Sequence, residues 1–173
     1  GDSKGMARTR VWLPEGKWTD IFTGSTYCGG RWVDMIRFMD SIPVLAKEGG
    51  FFALDARKHT NSIDVPDTLM VMAFNGSSEY IMCEDGANTR FYADGAEGKQ
   101  IIRIKASEGS VTRKIALEMR NIKNGNVCVF ADGEKICADV REDEYLTVTL
   151  TEVLPSVEYT VEVEFEENAR EYR

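Results

Sequence analysis

The chain has 173 residues, of which 43% are apolar and 29% charged, and its 21 basic against 29 acidic groups leave a net charge of −8. That describes a globular chain of one medium or two small domains, and an acidic chain without a basic stretch makes nucleic acid an unexpected partner. No apolar run approaches the roughly 18 residues of a membrane helix, and the opening GDSKGMARTR has no apolar signal core, so a cytoplasmic protein away from membranes is expected.

Helical periodicity is scarce and period-two alternation dominates, so the expected fold is all-β, built as two small antiparallel sandwich domains. The first predicted strand is Ala7 to Leu13. Residues up to 65 hold Trp12, Trp18, Phe22, Tyr27, Trp32, Phe38, Phe51 and Phe52. So small a sheet does not bury eight large aromatics by itself, and some are expected to face another domain or a part outside this chain. The polar segment ARKHTNSIDVPD places a domain boundary between residues 65 and 66. Charge follows it: residues 1–65 carry nine basic and eight acidic groups, residues 66–173 twelve and 21.

Beyond the boundary, Leu69 to Phe74 is apolar on both faces and reads as a central or inter-domain strand. Ile115, Leu117 and Met119 alternate with polar residues, as do Leu146, Val148 and Leu150, and Val157 to Phe165 does so most clearly. Turn signals separate these runs at Asn75-Gly76, Asp85-Gly86, Asp94-Gly95, Glu108-Gly109, Asn124-Gly125 and Asp132-Gly133. The charged tail FEENAREYR is expected to fray. Asp132-Gly133 favours a two-residue type I′ turn, in which Cys128 faces Cys137 at a non-hydrogen-bonded position with Cα atoms about 4.5 Å apart. That separation suits a disulfide, yet reduced thiols are the expectation for a cytoplasmic protein. The rival is a three-residue loop with Gly133 as a bulge, which sets Cys128 against Ile136.

The chemistry-bearing residues are few. Cys28, Cys83, Cys128 and Cys137 form no C-x-x-C pair and only His59 adds an imidazole, which argues against zinc and against a disulfide scaffold. His59 lies near Ser62 and Asp64, but in a polar segment a solvated histidine is expected rather than a catalytic base. Glu84, Asp85, Asn88 and Asp94 lack the alternating spacing of calcium loops and read as a solvated hairpin turn. Glu158, Glu162 and Glu164 read as the wet face of a strand. No catalytic residue, cofactor or metal is expected.

One stretch carries a specific pattern. Val11-Trp12-Leu13-Pro14-Glu15-Gly16-Lys17-Trp18-Thr19-Asp20-Ile21-Phe22-Thr23-Gly24 resembles the V-x-L-P-x-G-x-W-x-D-x-x-T-G segment of family 31 glycoside hydrolases. Tyr27-Cys28-Gly29-Gly30-Arg31 looks like the Gly-Gly turn that follows it, and Asp40-Ser41-Ile42-Pro43-Val44 like the D-x-I-P-V segment after that. The resemblance implies the two β-sandwich domains that follow the catalytic barrel, proximal over residues 1–65 and distal over 66–173. The distal domain's Y-E-D-D-G turn reads Met82-Cys83-Glu84-Asp85-Gly86 here, which keeps only part of that pattern.

The resemblance further implies a non-catalytic accessory region of a retaining α-glucosidase or α-xylosidase. The paired carboxylates of such an enzyme lie on a barrel that needs roughly 250 residues. The implied partner is the catalytic barrel of the same parent chain. Family strands precede the V-x-L-P motif, so the first sandwich is expected to be incomplete at its N-terminal edge, and an open strand edge implies homo-oligomerisation as a second mode of contact. Trp32-Val33-Asp34-Met35 imitates the family's nucleophile motif, but Ile36 and Arg37 follow where that motif has Asn and Glu, so Asp34 is expected to be an ordinary wet-face carboxylate. Trp12, Trp18, Tyr27 and Trp32 are the candidate residues for the alternative, a carbohydrate-binding module stacking sugars on exposed rings; packing against the barrel or partner sandwich is the preferred role.

Overall fold

Alternating residues form sixteen β-strands in the computed structural model, which describes residues 5–38, 41–57 and 66–166. Among the described residues no helix is long and apolar enough to cross a membrane. Contacts divide the chain into two units between Glu48 and Gly49. That division falls earlier than residues 65 and 66. The reason is β6 (Phe51–Asp55), which pairs with β7 (Thr68–Ala73) from Phe51↔Ala73 to Asp55↔Leu69. Phe51 and Phe52 therefore belong to the second unit, and the polar residues after β6 connect two neighbours of one sheet. His59, Ser62 and Asp64 lie outside the described residues.

The first unit holds two small sheets. β1 (Met6–Leu13) and β4 (Arg31–Phe38) pair antiparallel over eight residues, from Met6↔Phe38 to Leu13↔Arg31. β2 (Lys17–Asp20), β3 (Thr26–Cys28) and β5 (Leu45–Lys47) form a three-stranded sheet in the order β3-β2-β5. Leu13, Met35 and Ala46 are buried, together with Thr19 and Asp20. The β1–β4 ribbon is a two-stranded sheet, with no further strand on either edge among the described residues.

The second unit is a sandwich. One sheet has the order β13-β12-β16-β10-β9-β8, the other β14-β15-β11-β7-β6. In the first sheet these are β8 (Ser78–Glu84), β9 (Ala87–Ala96), β10 (Lys99–Ala106), β12 (Asn126–Ala131), β13 (Glu134–Ile136) and β16 (Glu158–Glu164); the second adds β11 (Arg113–Met119), β14 (Asp139–Glu142) and β15 (Leu146–Val153). All pairs are antiparallel except β7 with β11.

Inward residues of both sheets interdigitate as one core. It contains Leu69 and Val71 of β7, Phe91 of β9, Ile102 and Ile104 of β10, Ile115 and Leu117 of β11, Leu146 and Val148 of β15, and Val161 and Val163 of β16. β7 is an interior strand, as its apolar run suggested.

Two turn signals show how context acts. Asp132 and Gly133 have φ of 46° and 83°, the two positive values of a type I′ turn, and Ala131↔Glu134, Phe130↔Lys135 and Val129↔Ile136 follow the two-residue register. Asp94-Gly95, by contrast, lies inside β9, opposite Ile101 and Gln100, and the chain reverses at Glu97-Gly98 instead. Gly95 serves a close approach: an added Cβ would stand 2.7 Å from the backbone of Gly76. Buried Gln100 completes that corner, accepting from Gly76 N at 2.9 Å and donating to Gly76 O at 3.1 Å.

Candidate functional site

The motif residues of the first unit form an interlocked structural corner. The Trp18 indole donates to the Pro14 carbonyl at 2.8 Å. Gly30 N donates to Leu13 O and Gly29 N to Gly16 O, which lays the Gly-Gly turn against the Leu-Pro segment. An added Cβ at Gly29 would stand 1.8 Å from the Pro14 carbonyl oxygen, so only glycine fits there. Asp20 is fully buried and its Oδ1 accepts from Phe22 N and Thr23 N at 2.9 and 3.1 Å, an Asx-type turn. Its Oδ2 binds the Arg37 guanidinium of β4. Gly24, at φ 67°, donates its N–H back to Asp20 O. The D-x-x-T-G pattern is thus a turn organised around one buried carboxylate.

The outer face of the β1–β4 ribbon is different. Register places Trp12↔Trp32, Arg10↔Asp34, Arg8↔Ile36 and Met6↔Phe38 on one face, with Leu13, Met35, Val11 and Val33 on the other. Trp12 is 50% exposed, Trp32 56% and Phe38 61%. The indoles meet edge-on, 5.7 Å between centroids with 67° between planes. The Arg10 guanidinium sits over the Trp32 ring at 5.6 Å, and Arg8 is ion-paired with Asp34. Exposed aromatic and charged side chains thus share one face of the ribbon.

The four aromatic candidates therefore separate into two pairs. Trp12 and Trp32 lie together on the exposed ribbon. Trp18 and Tyr27 face one another across β2–β3, where Trp18 is tied to Pro14 and the Tyr27 hydroxyl is a further partner of Arg37. Arg8 and Arg10 share the ribbon face with the two tryptophans and were not among the candidates read from the sequence. The period-two pattern R-x-R-x-W of β1 and W-x-D-x-I-x-F of β4 held the signal, had the two been paired.

Asp34 is an exposed carboxylate. The hydrogen bond from Arg8 holds its pKa below the ordinary value, against the opposing effect of desolvation, and the charges of Arg8 and Arg10 add to the lowering. A depressed carboxylate pKa stabilises above the unfolded value and loses that contribution as pH falls through the folded one. Arg8→Ala should therefore raise the Asp34 titration midpoint towards the ordinary carboxylate range, read from its side-chain carboxyl carbon by NMR. An unchanged midpoint would dissolve the pair.

The other candidates have structural employment. Glu84 pairs with buried Arg113 at 2.6 Å, and Asp94 accepts from Ser77 at 3.4 Å. Among the described residues no group of three or more acidic, cysteine or histidine side chains is arranged to hold a metal. Glu162 pairs with Lys99 at 3.2 Å, and Glu158 and Glu164 are exposed.

Residues 3–51 match the family model described as Glycosyl hydrolase family 31 C-terminal domain. Alpha-glucosidase 2 of Bacillus thermoamyloliquefaciens is 27% identical over 106 residues, which span 60% of this chain and 14% of that protein. A family 31 dextranase of Flavobacterium johnsoniae, solved with glucose, superposes with a TM-score of 0.70 at 17% identity, over 91% of this chain and 24% of that one. The cycloalternan-forming enzyme of Listeria monocytogenes, solved with a pentasaccharide substrate, does so with a TM-score of 0.68 at 18% identity, over 94% and 17%. This chain thus spans less than a quarter of these larger proteins. Motif order, the profile match over residues 3–51 and the fold all make this chain similar to the C-terminal region of family 31 glycoside hydrolases.

Proposed function

We propose that this region is a non-catalytic accessory part of a retaining family 31 α-glycosidase, and that it buttresses the catalytic barrel of the same parent chain. The observation that carries this reading is the open ribbon face, where Trp12, Trp32, Ile36 and Phe38 all stand exposed within the segment that carries the family motifs. Aromatic residues flanked by arginine are the composition of interface centres. The relatives support the same reading, since in each the matching region is a minor part of a much larger chain.

A second reading is a carbohydrate-binding surface on Trp12 and Trp32, favoured by their adjacency and exposure. Their edge-on geometry supports docking over stacking. A sugar stacks best on a flat ring face, and Arg10 covers one face of Trp32.

The test supplies the barrel and this chain as two polypeptides of one parent. They are expected to associate, and Trp12→Ser with Trp32→Ser should weaken association at least about tenfold, the scale of a tryptophan anchor. The isolated chain should not turn over p-nitrophenyl α-glucoside or α-xyloside. No association, with calorimetric binding of maltose, isomaltose or xyloglucan oligosaccharides that the double variant loses, would replace this reading with the second. Turnover that disappears on Asp34→Asn would overturn both.

A further inference from the structure

We infer that Cys128 and Cys137 form a redox-closable staple across the β12–β13 hairpin, a modification site independent of the ribbon face. Both positive φ values of the turn, at Asp132 and Gly133, fix the two-residue loop. The three pairs from Ala131↔Glu134 to Val129↔Ile136 fix the register, and carried one step past the end of β13 that register sets Cys128 opposite Cys137. Counted from the hydrogen-bonded closing pair it falls on a non-hydrogen-bonded site, where facing Cα atoms approach to about 4.5 Å, inside the range a disulfide spans.

The side chains share a face. Val129 and Ile136 belong to or pack on the core, so alternation turns Cys128 to the opposite face of the sheet, and continued one residue past β13 it turns the exposed Cys137 the same way. Both thiols are free, Cys137 exposed and Cys128 half-buried. Cys28 belongs to the first unit and Cys83 to β8, at the opposite edge of the six-stranded sheet from β13, so neither competes from a neighbouring strand.

The position gives the bridge a structural consequence. β13 is an edge strand of three residues, and directly after Cys137 and Ala138 the chain enters β14 of the opposite sheet. Closing the bridge would pin this short edge at the point where the chain changes sheets. The co-reactant is a small-molecule disulfide such as oxidised glutathione. The exposed Cys137 thiolate attacks one of its sulfurs and releases one glutathione thiolate. Cys128 then attacks the Cys137 sulfur of the mixed disulfide and releases the second. Two cysteine thiols are oxidised, one glutathione disulfide is reduced to two thiols, and the two protons pass to them.

The test treats the whole native chain with oxidised glutathione, alkylates the remaining thiols and maps peptides by mass spectrometry. The expected result is one Cys128–Cys137 cross-link with no glutathione left on either residue, while the exposed Cys28 and Cys83 carry at most single glutathione adducts, and reversal by dithiothreitol. Cys128→Ser should leave a glutathione adduct on Cys137 and no cross-link. The same oxidation in concentrated urea should scramble the pairing, which ties the selectivity to the folded hairpin. A persistent Cys137 adduct with Cys128 still alkylatable in the native wild-type chain, or cross-links through Cys28 or Cys83, would overturn the inference.

Discussion

Replacing Asp20 by alanine is expected to destabilise the first unit by about 3–5 kcal/mol, the cost of removing one partner of a buried ion pair. Asp20 is fully buried, and its loss removes the carboxylate paired with the Arg37 guanidinium, whose side chain is only 17% exposed, and the acceptor of the Phe22 and Thr23 backbone N–H groups; the Ile36 carbonyl remains to Arg37 but carries no full charge. So short a unit has little surplus stability to absorb that loss. All three tryptophans, Trp12, Trp18 and Trp32, belong to it. Tryptophan fluorescence during urea unfolding therefore reads the effect directly. Asp20→Asn keeps an oxygen for the two backbone donors but gives up the charge, and should fall between wild type and alanine. A loss under about 1 kcal/mol for Asp20→Ala would show that the turn closes without its carboxylate.

Phe91→Ala is the corresponding experiment in the second unit, with an expected cost of about 3–5 kcal/mol. Phe91 is wholly buried on β9, and its ring lies 5.8 Å from Phe51 of β6 and 5.9 Å from Tyr80 of β8. The cluster joins the two sheets of the sandwich, so the cavity opens between layers that the rest of the core holds apart. Tryptophan is absent from this unit, so the measurement is amide exchange along β9, β10 and β16. A change below about 1 kcal/mol would mean that the Phe51 and Tyr80 rings collapse into the space.

The docking proposal and the staple make separate demands. The first concerns a face of β1–β4 and is read by association with the barrel. The second concerns a hairpin in the other unit and is read by thiol chemistry. Either stands if the other fails.

Strand positions in the second unit were legible because burial on one face imposes a period of two. Tyr159, Val161 and Val163 alternate with polar partners in β16, and that pattern has only one workable orientation towards a core. The Asp132-Gly133 hairpin was legible for a local reason: both residues tolerate positive φ, and the turn fixes the register by itself. The motif from Val11 to Gly24 likewise carries its resemblance to family 31 glycoside hydrolases in local residue order alone.

Pairing across long separations was decided only by the tertiary structure. Nothing local distinguishes Asp94-Gly95 from a true turn; the contact with Gly76 makes it an interior strand position, and the reversal moves to Glu97-Gly98. Phe51 and Phe52 read as part of the first domain because they precede a polar segment, yet β6 completes the sheet edge beside β7. On the ribbon, the sequence determined that one side of β4 carries Trp32, Asp34, Ile36 and Phe38. Only its pairing with β1 turned those residues, with Trp12, Arg8 and Arg10, into one exposed aromatic and cationic face. Hydrophobicity says that a residue prefers burial; which partner buries it depends on surfaces that meet in three dimensions.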